Sequence, residues 1–182
     1  MLILVITGKI GSGKDTASDY LRQNYSFSTV SYSEIAHDKT REQGLETTRT
    51  NLQKVSTECR ARYGTDYFAK LVISKARSLG SERVILKEAR TAQDVQPAMK
   101  AFGRQLHVIE ITTLQSIRLE RLIKRGCAKD AKTKEELMAQ ETREKELGYF
   151  GAAQLAEERI SNSGTPEELH KKLDSLMTRL LG

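Results

Sequence analysis

Six apolar residues, Met1 to Ile6, open the chain without a polar interruption and give way at Thr7 and Gly8. A run of Leu, Ile and Val closed by a glycine predicts a strand buried on both faces, as in the centre of a parallel sheet. Thr16, Ala17, Tyr20 and Leu21 then recur at helical spacing and predict a helix to about Tyr25. "FSTVSYS" predicts a second, short strand. From Glu34 to about Leu79 the pattern is helical and amphipathic, broken near Gly44 and Gly64. "RVILKE" (83–88) and "LHVIEIT" (106–112) predict strands on either side of a helix carrying Val95, Met99 and Phe102. "LQSIRLERLIKRG" predicts a helix packing through Ile117, Leu119, Leu122 and Ile123, and "KTKEELMAQETREKELG" a charged helix ending at Gly148. "RISNSG" predicts a last strand. Thr165 caps, Pro166 opens and Gly182 closes a final helix.

Strands alternating with helices imply an α/β fold, a parallel sheet covered by helices on both faces. Neither an internal repeat nor a linker divides the 182 residues, so one domain is expected, with 33–80 and 126–148 as insertions on the α/β core. The longest apolar run is six residues, far short of a membrane span, and the start lacks a signal-peptide pattern. Two cysteines, Cys59 and Cys127, do not make a disulfide framework, and with His37, His107 and His170 they form no metal-ligand spacing. A cytoplasmic protein with no membrane partner is the expectation. Net charge is +6, and much of it lies in residues 118–134, where Arg118, Arg121, Lys124, Arg125, Lys129, Lys132 and Lys134 face only Glu120 and Asp130. Such a patch draws a polyanion, either nucleic acid or a small polyphosphate. No recognition-helix or zinc pattern appears, so a nucleic-acid partner is not expected.

Between the first strand and first helix stands "GKIGSGKDT", residues 8–16. A glycine-rich turn at that junction aims backbone N–H groups at an anion, at the positive end of a helix. Gly8, Gly11 and Gly13 permit the turn and the close approach of oxygen, Ser12 lies between the last two, and Lys14 adds a point charge for the β- and γ-phosphates. The strict pattern continues with Ser or Thr, a magnesium ligand, yet Asp15 stands there and the hydroxyl comes one place later, at Thr16.

With that shift, the stretch resembles the loop of the adenylate-kinase-like nucleoside monophosphate kinases, Gly-x-x-Gly-x-Gly-Lys-x-Thr, at every fixed position. Its Gly-Lys-Asp-Thr ending is similar to phage-type deoxynucleoside monophosphate kinases and small archaeal relatives. The resemblance implies a three-layer α/β/α P-loop fold with a five-stranded parallel sheet, a helical acceptor-binding insertion (about 33–80) and a small lid (about 126–148). It implies ATP and Mg²⁺ as cofactors and a small nucleotide acceptor. Thr16 would meet the α-phosphate. By position, Ser33 and Glu34 would sit at the acceptor site, with Arg41, Arg49 and Arg90 for the acceptor phosphate. In "LERLIKRG", Arg121 would pack on adenine and Arg125 reach the ATP phosphates, while Arg143 would close over the transferring group and Asn162 lie near the donor base. One departure matters: the third strand of such kinases usually ends Asp-Gly-x-Arg or Asp-x-x-x-x-Arg, but here it reads "VILKEAR", with Lys87 at the aspartate's place and Glu88 one place on. Asp15 and Glu88 remain as candidates to orient metal-bound water, and Lys87 is placed to pair with Asp15.

The leading expectation is thus an ATP-dependent phosphotransferase acting on a (deoxy)nucleoside monophosphate or similar nucleotide. Dephospho-CoA kinase, with a hydroxyl acceptor, is the alternative within the enzyme class. A non-catalytic ATP-binding regulatory module is the alternative outside it.

Overall fold

A computed structural model describes residues 1–128 and 130–182. Five parallel strands, β1 (Leu2–Thr7), β2 (Ser28–Ser31), β3 (Arg83–Lys87), β4 (Leu106–Thr112) and β5 (Glu158–Ser161), lie in the order β2-β3-β1-β4-β5. β1 is central: Ile3 is in register with Val84 of β3 on one side and Leu106 of β4 on the other. Its unbroken apolar run follows from that place, because alternate residues enter different cores. Leu4 and Ile6 pack toward α1 (Lys14–Tyr25) and α9 (Pro166–Leu181). Ile3 and Val5 pack toward α2 (Tyr32–Glu42), α3 (Arg49–Tyr63), α4 (Tyr67–Ser78), α5 (Ala92–Phe102) and α8 (Gly151–Gln154). Each fully buried Leu or Ile stabilises the fold by roughly 1.5–3 kcal/mol.

The remaining helices, α6 (Gln115–Arg125) and α7 (Lys134–Glu146), make a third, smaller cluster. Leu122, Ala131 and Leu137 are buried there, and Ile10 of the glycine-rich loop packs against them. Ile123, expected to pack, is instead 53% exposed. The inward face of α6 runs through Leu122 and, one turn earlier, Arg118.

Ser31, Thr48, Thr91, Thr133 and Thr165 cap α2, α3, α5, α7 and α9, each accepting the amide three residues on. The Ser31 cap explains why α2 starts at Tyr32, two residues before the apolar periodicity does. α1 is different: it starts from Gly13 in a left-handed conformation, with no side-chain cap. Two short elements, α8 and a 3₁₀ turn at Gly103–Gln105, have too few residues to show a period in the sequence. Among the described residues no helix is long and apolar enough to cross a membrane.

Candidate phosphate-binding site and adjoining cleft

β1 ends at Thr7, and the chain turns through residues 8–13 before α1 begins. Gly11 (φ 75°) and Gly13 (φ 90°) adopt left-handed backbone angles. Two carbonyls are pinned on the outside of the turn. Ser12 C=O accepts from Asn162 Nδ2 (2.8 Å), Thr113 Oγ1 (3.0 Å) and Arg121 Nη1 (3.5 Å). Ile10 C=O accepts from Arg118 Nη1 at 3.2 Å. In a planar trans peptide the N–H points opposite to the C=O, so these pins turn the Gly11 and Gly13 amides to the inside. The first-turn amides of uncapped α1 lie next in the chain. Together they make a nest for an anion at a helix's positive end.

Lys14 is half-buried beside this nest, and among the described residues no carboxylate comes within ion-pair distance of it. Burial pushes its ammonium below the usual lysine range; Asp15, Glu144 and Glu88 oppose that, while Arg90 adds to it. A cation held out of water and short of counter-charge fits a phosphate. The residues present therefore suit a polyphosphate.

At the carboxyl ends of β2 and β3 lies a cleft of about 350 Å³. Ser33, Glu34 and Arg41, the residues expected at an acceptor site, line it from α2, and Lys87 and Glu88 line it from the end of β3. Thr29, Ser31, His37, Asp38 and Lys75 complete the wall and were not anticipated. Lys87 Nζ stands 4.0 Å from Asp15 Oδ1, so the two unusual residues do face each other. With Asp15 62% exposed, that pairing contributes little to stability.

β3 stops at Lys87, and Glu88 turns to φ 66°, the left-handed region. It stands at the glycine's place in Asp-Gly-x-Arg, and its carboxylate accepts a hydrogen bond from Ser31 Oγ. The left-handed backbone costs a non-glycine residue roughly 1–2 kcal/mol. Glu88→Gly is therefore expected to be more stable than Glu88→Ala, reversing the usual order of these residues, by about 1 kcal/mol in urea unfolding. Equal stabilities would show that the strain is not there.

No family model matches the chain. A UPF0200 protein of Thermococcus gammatolerans is 30% identical over 99% of this chain and 96% of its own length. The chain belongs to the UPF0200 family. Among solved structures, TT1252 from Thermus thermophilus superposes with a TM-score of 0.64 at 20% identity, over 100% of this chain and 98% of that one. Shikimate kinase from Acinetobacter baumannii, in complex with shikimate, gives 0.55 at 15% identity, over 98% and 94%. At such identities the likeness shows the fold alone, which the chain shares with both structures.

Several expected site residues of this UPF0200 protein lie elsewhere than their motifs imply. Asn162 is 5% exposed and spends its amide on Ser12, so it shapes the loop. Arg121 bonds Asn162 C=O at 3.0 Å beside it. Arg125, one turn on, is instead forked onto Asp130, with both contacts at 2.6 Å. Arg143 is exposed on α7, because buried Leu137 and half-buried Glu141 and Glu144 occupy the inner face. Arg49 opens α3, exposed and outside the cleft lining. Arg90 lies over the Tyr149 ring at 5.0 Å, near enough to act on Lys14. Asp15 faces Lys87, and Glu88 faces Ser31.

The basic patch also needs correction. Arg118 is buried, not offered to a polyanion, and Lys129 lies outside the described residues. Thr113, Arg118 and Glu141 were missed. A faint signal of phase was available for Arg118, which falls one turn before Leu122, whereas α7, with only Leu137 buried, carries none for Glu141.

Proposed function

We propose that this protein is an ATP-dependent phosphotransferase whose acceptor is a small phosphorylated molecule, a (deoxy)nucleoside monophosphate first among them. The observation that carries this is the juxtaposition of two sites at the carboxyl edge of the sheet: an amide nest with an unpaired lysine, and a polar cleft joined to it through Asp15 and Lys87. Ligands of open α/β sheets bind at that edge. The Gly11 and Gly13 amides, Lys14 and Thr16 would hold the donor triphosphate. Mg²⁺ bound with it would supply charge neutralisation. Arg41, Lys75 and Lys87 offer cations to an acceptor anion, and Glu34 and Asp38 accept from its amino or hydroxyl groups. Arg90, whose charge acts on Lys14, would steady the group in transit. With a phosphate acceptor no strong base is required; positioning and neutralised repulsion suffice.

A second reading rests on Glu88. A carboxylate held in a strained backbone and lining the cleft suits a hydroxyl acceptor, from which it would take the proton. Dephospho-CoA is one such acceptor, and the shikimate of the structural neighbour another.

The test is an ADP-release screen with ATP·Mg²⁺ against nucleoside and deoxynucleoside monophosphates, dephospho-CoA and shikimate. Turnover with a monophosphate supports the first reading. Turnover confined to hydroxyl acceptors, lost in Glu88→Gln, supports the second. Tight ATP binding without ADP release in any arm points to a regulatory module instead.

A further inference from the structure

Arg118 and Glu141 are not used in the reaction drawn above. Arg118 is 3% exposed, and besides its bond to Ile10 C=O its Nη2 meets Glu141 Oε1 at 2.5 Å. The other oxygen of Glu141 accepts from Lys9 Nζ at 2.7 Å. Gly11 lies directly on the Arg118 backbone, where an added Cβ would stand 2.9 Å from the carbonyl oxygen. Residues 9, 10 and 11 of the loop are thus each held from outside by α6 and α7, and all three contacts trace to one carboxylate and the arginine it grips. One turn before Glu141, Leu137 is buried in the cluster that Ile10 joins.

We propose that Glu141 is a positioning residue for the phosphate loop: through Arg118 and Lys9 it fixes the Ile10–Gly11 peptide with its carbonyl outward and its amide inward. Nucleotide affinity then depends on α7 being docked. This rests on the reading of residues 8–16 as a triphosphate site. The carboxylate is suited to the task. Burial pushes the Glu141 carboxyl up, but the hydrogen bond from Lys9 and the charges of Lys9 and Arg118 outweigh it and hold the group below the ordinary carboxylate range. A neutral glutamine would keep the shape and lose both the ion pair with Arg118 and the charge assistance of the Lys9 bond.

The test uses the full chain and does not depend on turnover. Amide hydrogen exchange across residues 8–13 is measured without nucleotide, and affinity for a fluorescent ATP analogue by anisotropy. In Glu141→Gln the affinity is expected to fall about tenfold, the worth of one charge-assisted hydrogen bond, with exchange at Gly11 to Gly13 faster by a similar factor. Lys9→Met, which leaves the Arg118 contact, should lose roughly two- to threefold. Glu141→Gln with affinity and loop exchange unchanged overturns the proposal, even if its melting temperature drops, because a purely structural pair moves only the melt. Should Glu141→Gln fail to fold, Lys9→Met decides, and unchanged loop exchange there overturns it. Failure of the underlying reading looks different: wild type and Lys14→Met would bind the analogue equally poorly, while loop exchange would still report on Glu141.

Discussion

Gly13→Ala is expected to destabilise the protein by about 2–5 kcal/mol and to leave no measurable nucleotide binding. Two costs combine. At φ 90° an alanine is strained by roughly 1–2 kcal/mol. Its Cβ would also stand 2.1 Å from Asn162 Nδ2, a distance that no packed structure tolerates. Asn162 cannot move aside cheaply, since it is buried and its amide is the shortest of the bonds to Ser12 C=O. Displacing it frees the Ser12–Gly13 peptide to rotate and costs a further 1–3 kcal/mol or so for the polar groups left unpaired. Scanning calorimetry should register a fall of about 5–15 °C, given roughly 2–4 °C per kcal/mol at this size. The double variant Gly13→Ala/Asn162→Ala should melt higher than the sum of its singles, because the clash then disappears while the strain remains. A Gly13→Ala protein melting within a degree of wild type would mean that the loop is not built as described.

The loop and the sheet that holds it were legible because their signals are local. A strand buried on both faces must be apolar throughout, and Met1–Ile6 is; a strand-to-helix phosphate turn needs its glycines and lysine within nine residues, and residues 8–16 supply them. What pins the loop was not legible. Thr113, Arg118 and Asn162 reach residues 10 and 12 across sequence separations of 101, 108 and 150. In one dimension Arg118 is another cation in a basic run; it is buried because Glu141, on a different helix, offers it a carboxylate.

The phase of α7 was hidden for a related reason. With only Leu137 buried on that helix, little in its sequence states which side turns inward, and Arg143 falls on the exposed one. At Glu88 the exchange of charges with Lys87 was visible but its consequence was not. Strand alternation alone would send the two side chains to opposite faces, whereas the left-handed turn lets both line one cleft.

Lys14→Met should separate function from stability. If the ammonium is there for phosphate, removing it lowers ATP turnover by on the order of 10²–10³, as loss of a preorganised charge does. The fold should not suffer. Burial holds the Lys14 pKa below its ordinary 10.5, with Asp15 opposing and Arg90 assisting, so the folded chain disfavours the charged form that neutral pH imposes. Methionine keeps the length of the side chain and drops that charge, so the variant should melt at or above the wild-type temperature at pH 7. The sign extends to pH. A lysine lowered in the folded state adds stability as pH climbs through its folded value toward 10.5, and Lys14→Met should lack that rise. ADP release, anisotropy with a fluorescent ATP analogue, and melts between pH 7 and 10 read the three arms. A variant that binds the analogue like wild type but melts lower would make Lys14 a structural cation, and the donor site would then have to be sought away from residues 8–16.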